Sequence, residues 1–192
     1  MTVSASDLRE QVYDLAREMY RLTEGDAWLE DLEVTLSVRD FTEPQIAAMK
    51  AVASPTCLQA FNALSADAGA KEPSDALSQI LTHALRDPVL KAAKTFEFFG
   101  EGKLDSDDPD FVLTLLVQVQ TMLREVVHNY PLLLQEDMPG NVQKILDGFA
   151  QDILPRLDRL VSDVSALSPL DPHQIPPGRG WEHLYALPPE AF

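Results

Sequence analysis

A single cysteine, Cys57, among 192 residues excludes an internal disulfide and a multi-cysteine zinc site. A reducing, cytoplasmic setting is the expectation that follows. Basic side chains are also scarce: 15 Lys and Arg stand against 31 Asp and Glu, for a net charge of -16. Such a field repels phosphate backbones and anionic lipid, so neither nucleic acid nor a membrane is an expected partner. No stretch approaches the roughly 20 apolar residues of a membrane span. The opening MTVSASDLREQ has no basic patch leading into an apolar run, so no export signal is expected.

Signature motifs of catalysis are missing as well. No GxGxxG, P-loop, GxSxG or HExxH pattern occurs, which removes the readable marks of dinucleotide binding, phosphate cradling, hydrolase nucleophiles and zinc proteases. The acidic run LDSDDPDF, with Asp105, Asp107, Asp108 and Asp110, begins like a calcium loop. Asp110 stands where such a loop needs glycine, however, and Leu116 where it needs glutamate. Acidic residues ahead of a helix are better explained by the helix's positive end. Neither cofactor nor metal is expected.

What is present is apolar periodicity. Hydrophobic residues make up 45% of the chain, enough for a core despite the charge. Ser6 is positioned to cap a helix with Leu8, Val12, Leu15, Met19 and Leu22 on one stripe, ending near Gly25. Thr42 with Gln45, Ser54-Pro55, Ser74, Asp87-Pro88 and Asp108-Pro109 each mark a further helix start. The helix after Asp108 is so apolar that it is expected at the centre of the fold, stopped by Pro131. From Val142 to Leu167 apolar residues recur at spacings near three and four, with Pro155 inside the segment as an expected kink.

The stretch LEVTLSVR, residues 32 to 39, alternates like a half-buried strand, yet no partner strand is evident. Helix is the preferred reading; it leaves Val34 and Val38 in need of cover, and either conformation leaves self-association open. After Ser168 the chain carries Pro169, Pro172, Pro176, Pro177, Pro188 and Pro189, the composition of a tail.

Two groups of residues are candidates for function. On the central helix Thr114, Gln118, Thr121, Glu125 and His128 fall within an arc of about 80° at 100° per residue, a polar stripe on an apolar helix. Glu125 and His128 spell half of the Glu-x-x-His pair of di-iron bundles, but no second pair completes it. In the tail, GWEHLYAL can form a short helix with Trp181, Leu184 and Tyr185 on one face, and Phe192 follows as another apolar anchor. Cys57, His83, His173 and His183 have no spacing that suggests a shared site.

The segment AVASPTCLQAFNAL, residues 51 to 64, resembles the opening helix of ArsR-type winged-helix repressors. That resemblance implies a DNA-reading helix and a hairpin wing. The following THALRDPVLKAAKTFEFFGEGKLD offers neither clean strands nor a net basic face, and Cys57 replaces the usual basic residue after Ser-Pro-x. The family is therefore not adopted.

The expectation is an all-α multi-helix bundle of about seven or eight helices. Residues 1–167 would form the domain and 168–192 a Pro-rich tail with a short aromatic helix. The expected function is a non-enzymatic cytoplasmic interaction module (adaptor, assembly chaperone or regulatory partner) binding another protein or a second copy as a homodimer. The alternative is a small-molecule-binding or catalytic domain along the polar stripe. A DNA-binding regulator comes third, opposed by charge.

Overall fold

Helix α1, Ala5–Leu22, starts where Ser4 leaves extended backbone and its Oγ accepts the Asp7 N–H at 3.1 Å. The cap is thus Ser4, not Ser6, because Ser4 sits three residues before the N–H it satisfies while Ser6 already lies in the first turn. The helix ends at Leu22, earlier than Gly25 would place it: Thr23 turns its hydroxyl onto the Met19 carbonyl at 2.9 Å. Val12, Leu15, Ala16 and Met19 are buried, with Leu8 and Leu22 packed against them, so the expected apolar stripe is the one that enters the core.

This is a computed structural model, and it describes residues 4–23, 89–104, 107–134 and 140–176. The stretch 32–39, the helix starts between Thr42 and Ser74, and the aromatic segment of the tail lie outside these. Every regular element among the described residues is helical.

Helix α2 is described over residues 89–100, the expected start at Asp87-Pro88 lying outside the described residues, and buries Val89, Ala92, Ala93, Phe96 and Phe99. A helix therefore occupies ground that the winged-helix resemblance would need for its hairpin. Helix α3, Pro109–Leu134, begins as expected after Asp108, whose carboxylate accepts the Asp110 N–H at 3.2 Å. It continues through Pro131 instead of stopping there. Pro131 itself is exposed, so its ring costs α3 one backbone hydrogen bond without crowding the core.

Helix α4 is made of three joined stretches: α-helical Gly140–Gly148, π-helical Phe149–Ile153 and α-helical Leu154–Ser165. The π turn answers the proline. Leu154 N–H reaches back to the Phe149 carbonyl, a five-residue step, and the widened turn gives the Pro155 ring room that an α turn denies it. Val142, Ile145, Leu146, Phe149, Ile153, Leu157, Leu160 and Val164 are buried as their spacing predicts, whereas Leu167 is 44% exposed.

The two long helices form the centre, with the C-terminal part of α4 making the most extensive packing on α3. Buried Gln120 of α3 donates to Asp158 of α4 at 2.6 Å, and Arg124 donates to the same carboxylate oxygen at 2.7 Å. Helix α1 covers the π turn, and Gly148 lets Leu22 approach so closely that an added Cβ would lie 2.7 Å from it. Beyond α4, residues 168–176 stay on the body: Ser168 Oγ bonds to Asp110, the 3-10 turn Pro172–Gln174 rests on α3, and Ile175 packs against the core.

Candidate functional site

The polar stripe is the least covered face of α3. Thr114, Gln118 and Thr121 are half-buried, while Glu125 and His128 are exposed. Thr114 Oγ1 donates to the Asp110 carbonyl at 2.8 Å and Thr121 Oγ1 to the Val117 carbonyl at 2.9 Å. Both hydroxyls are thereby bonded within their own helix, the usual fate of a threonine inside one.

Of the acidic run before α3, Asp107, Asp108 and Asp110 make contacts with the protein itself. Asp107 accepts from Arg9, at 3.0 Å from Nε and also from Nη2, Asp108 caps α3, and Asp110 takes Ser168. Among the described residues no group of three or more His, Cys, Asp or Glu is placed to hold a metal ion. None of their helices is long and apolar enough to cross a membrane. Trp181, Leu184, Tyr185 and Phe192 lie outside the described residues, as do Cys57, His83 and His183; His173 is exposed in the 3-10 turn.

A feature that sequence patterns did not reveal is an apolar pocket of about 210 Å³ at one end of the bundle. Helices α1 and α3 start at this pole, and α2 and α4 end there. Ala5 and Leu8 come from α1, Phe99 from α2, Pro109 and Val112 from α3, Val164 from α4, and Leu167 from just beyond it. Asp107 supplies a charged edge, with its side chain 58% exposed.

Arg9 holds this pole together. Besides Asp107 it bonds the Phe99 carbonyl at 2.9 Å and lies over the Phe99 ring, 5.1 Å from its centroid. One guanidinium thus adds a second donor to the Phe99 carbonyl, which also accepts the Gly102 N–H at 3.1 Å, and ties the loop before α3 to α1. Gly102, at φ 71, shapes that loop, and its missing side chain leaves space for Arg9. Leu167, a wall of the pocket, is exposed, and Leu170, three residues on, is 39% exposed. No local signal could have disclosed the site, since its walls come from four separate helices and Arg9 meets a residue 98 positions away.

A second depression, about 250 Å³, lies between α1 and α4, where Arg156 and Arg159 face Asp14 and Asp163 with Gln11 and two leucines. Its charges balance, and Asp152 engages Arg156 at 3.5 Å. Stripe residues line neither depression.

Farther along the α1–α2 seam, Tyr20 donates to Glu97 at 2.8 Å and Lys94 donates to the same oxygen at 3.0 Å. Burial pushes the Tyr20 hydroxyl pKa well up, reinforced by the bond to Glu97 and by its charge. Burial also pushes Glu97 up, but hydrogen bonds from Lys94 and Tyr20 outweigh it and hold the carboxyl below its ordinary value. This cluster is a latch between helices, with no open space beside it among the pockets described. No protein-family model matches the chain, and comparison with curated proteins and with solved structures finds no match.

Proposed function

We propose that the protein is a non-enzymatic, cytoplasmic interaction module, built as a bundle of about seven or eight helices, that docks partner proteins at its apolar pole. The observation that carries this reading is the pocket walled by Leu8, Phe99, Val112, Val164 and the exposed Leu167. Its volume of about 210 Å³ falls below the roughly 300–1,000 Å³ of small-molecule sites and suits an apolar side chain presented by a polypeptide. An apolar pocket opening at one end, with the exposed carboxylate of Asp107 at its edge, is the make-up of a protein-binding site. The alternative of a ligand site along Thr114, Gln118, Thr121, Glu125 and His128 draws no support from these cavities, because those residues line neither of them.

The test is position-specific photo-cross-linking in the source cell, with the cross-linker at 167 and, as control, at 159 in the other depression. A polypeptide adduct at 167 and not at 159, whose purified partner binds the wild-type chain and binds Leu167→Asp several-fold more weakly, is the expected result. Equal adducts at both positions, or unchanged binding by Leu167→Asp, would remove the pole from the account.

A further inference from the structure

We infer that the pocket's resting occupant is this chain's own C-terminal segment, residues 177–192, seated through Trp181, so that the full-length protein covers its docking site until a partner displaces it. The inference rests on reading the pocket as a docking site.

The chain's path favours this occupant. Leu167 is a pocket wall, and the residues after it do not leave the body: Ser168 is bonded to Asp110 at the start of α3, and Ile175 packs against the core. Trp181 is the fifth residue after Pro176, and five extended residues reach about 17 Å. Tethering through a short linker gives an effective concentration on the order of millimolar, enough for a weak contact to be mostly occupied.

Chemistry favours it as well. Trp181, Leu184 and Tyr185 stand at i, i+3 and i+4, an apolar pattern suited to a groove. A second copy is the weaker candidate, because each chain carries a net charge of -16 and repels its like.

The experiment uses the full chain with Trp28→Phe, leaving Trp181 as the sole tryptophan, and a parallel Trp181→Phe chain from which the Trp181 signal is also obtained by difference. Acrylamide quenching of Trp181 should be several-fold weaker than that of free tryptophan. Adding Leu167→Asp, at an exposed position, should restore free-tryptophan quenching while the circular dichroism stays unchanged. Quenching like free tryptophan in the parent chain overturns the inference, as does shielding that persists with Leu167→Asp. Shielding that grows with protein concentration also overturns it, in favour of a second copy. If Trp181 is free and position 167 still cross-links a partner, self-coverage fails while the docking reading stands.

Discussion

Tyr20 and Glu97 meet hydroxyl to carboxylate at 2.8 Å, joining α1 to α2 across 77 positions of sequence. Removing the hydroxyl with Tyr20→Phe should cost about 1.5 kcal/mol, the scale of a partly buried hydrogen bond to a charged acceptor. The pH dependence follows from the two shifts. Glu97 is lowered from 4.5, so its contribution is full above that value and disappears as pH falls through the lowered one. Tyr20 is raised from 10.0, so its contribution is present below that value and is lost as pH rises beyond it. Denaturant melts should therefore show Glu97→Gln and wild type converging in acid, and Tyr20→Phe and wild type converging in strong alkali. Parallel curves across both ranges would refute the latch.

Two glycines give opposite expectations. A Cβ on Gly100 would lie 2.5 Å from the Cβ of Tyr13, whose backbone-fixed position cannot yield, so Gly100→Ala should cost about 2 kcal/mol. At Gly148 the nearest atom, at 2.7 Å, is the far end of Leu22, which can rotate away. The gain of about 1 kcal/mol for alanine over glycine within a helix offsets that adjustment, leaving Gly148→Ala near neutral. Thermal melts of the pair decide it; equal losses would mean that the seam at Tyr13 is looser than described.

Asp158 serves two donors of unequal weight. Gln120 is 8% exposed, and Asp158→Ala leaves its amide short of a partner, at a cost of about 1–3 kcal/mol. Arg124 is 55% exposed, so Arg124→Ala should cost no more than about 0.5 kcal/mol because solvent screens the pair. Chemical denaturation should rank them in that order; the reverse ranking would show that the ion pair, not the buried amide, matters.

His128→Ala and Thr121→Val each change the polar stripe without touching the core. His128 is exposed and the Thr121 hydroxyl is bonded within its own helix, so both should lie within about 0.5 kcal/mol of wild type and leave partner binding intact. A loss of partner binding with the fold preserved would move function from the pole to the stripe.

Local rules read correctly from sequence are those that one helix satisfies by itself. The stripe of Val12, Leu15 and Met19, the Asp108 cap and the periodic burial from Val142 to Val164 all follow from spacing and end chemistry. Boundaries failed where two signals competed: Ser4 and Ser6 both resemble caps, and only the distance to the Asp7 N–H separates them. Pro131 failed as a stop because its exposed ring costs one bond without crowding the core, while Pro155 was accommodated by a π turn that no residue pattern announces. The pole was illegible for a different reason: Arg9, Phe99, Asp107 and Leu167 are brought together only by tertiary packing. The sequence did isolate Trp181, Leu184 and Tyr185 by their spacing, and their role is carried by the inference on Trp181.

The central claim, that the protein binds polypeptides and holds no small-molecule ligand of its own, is met most directly by a native mass spectrum of the purified full-length chain. The account predicts peaks at the mass of the chain, or of its complex with another protein. A small added mass, lost on denaturation, would contradict it and return attention to the stripe from Thr114 to His128.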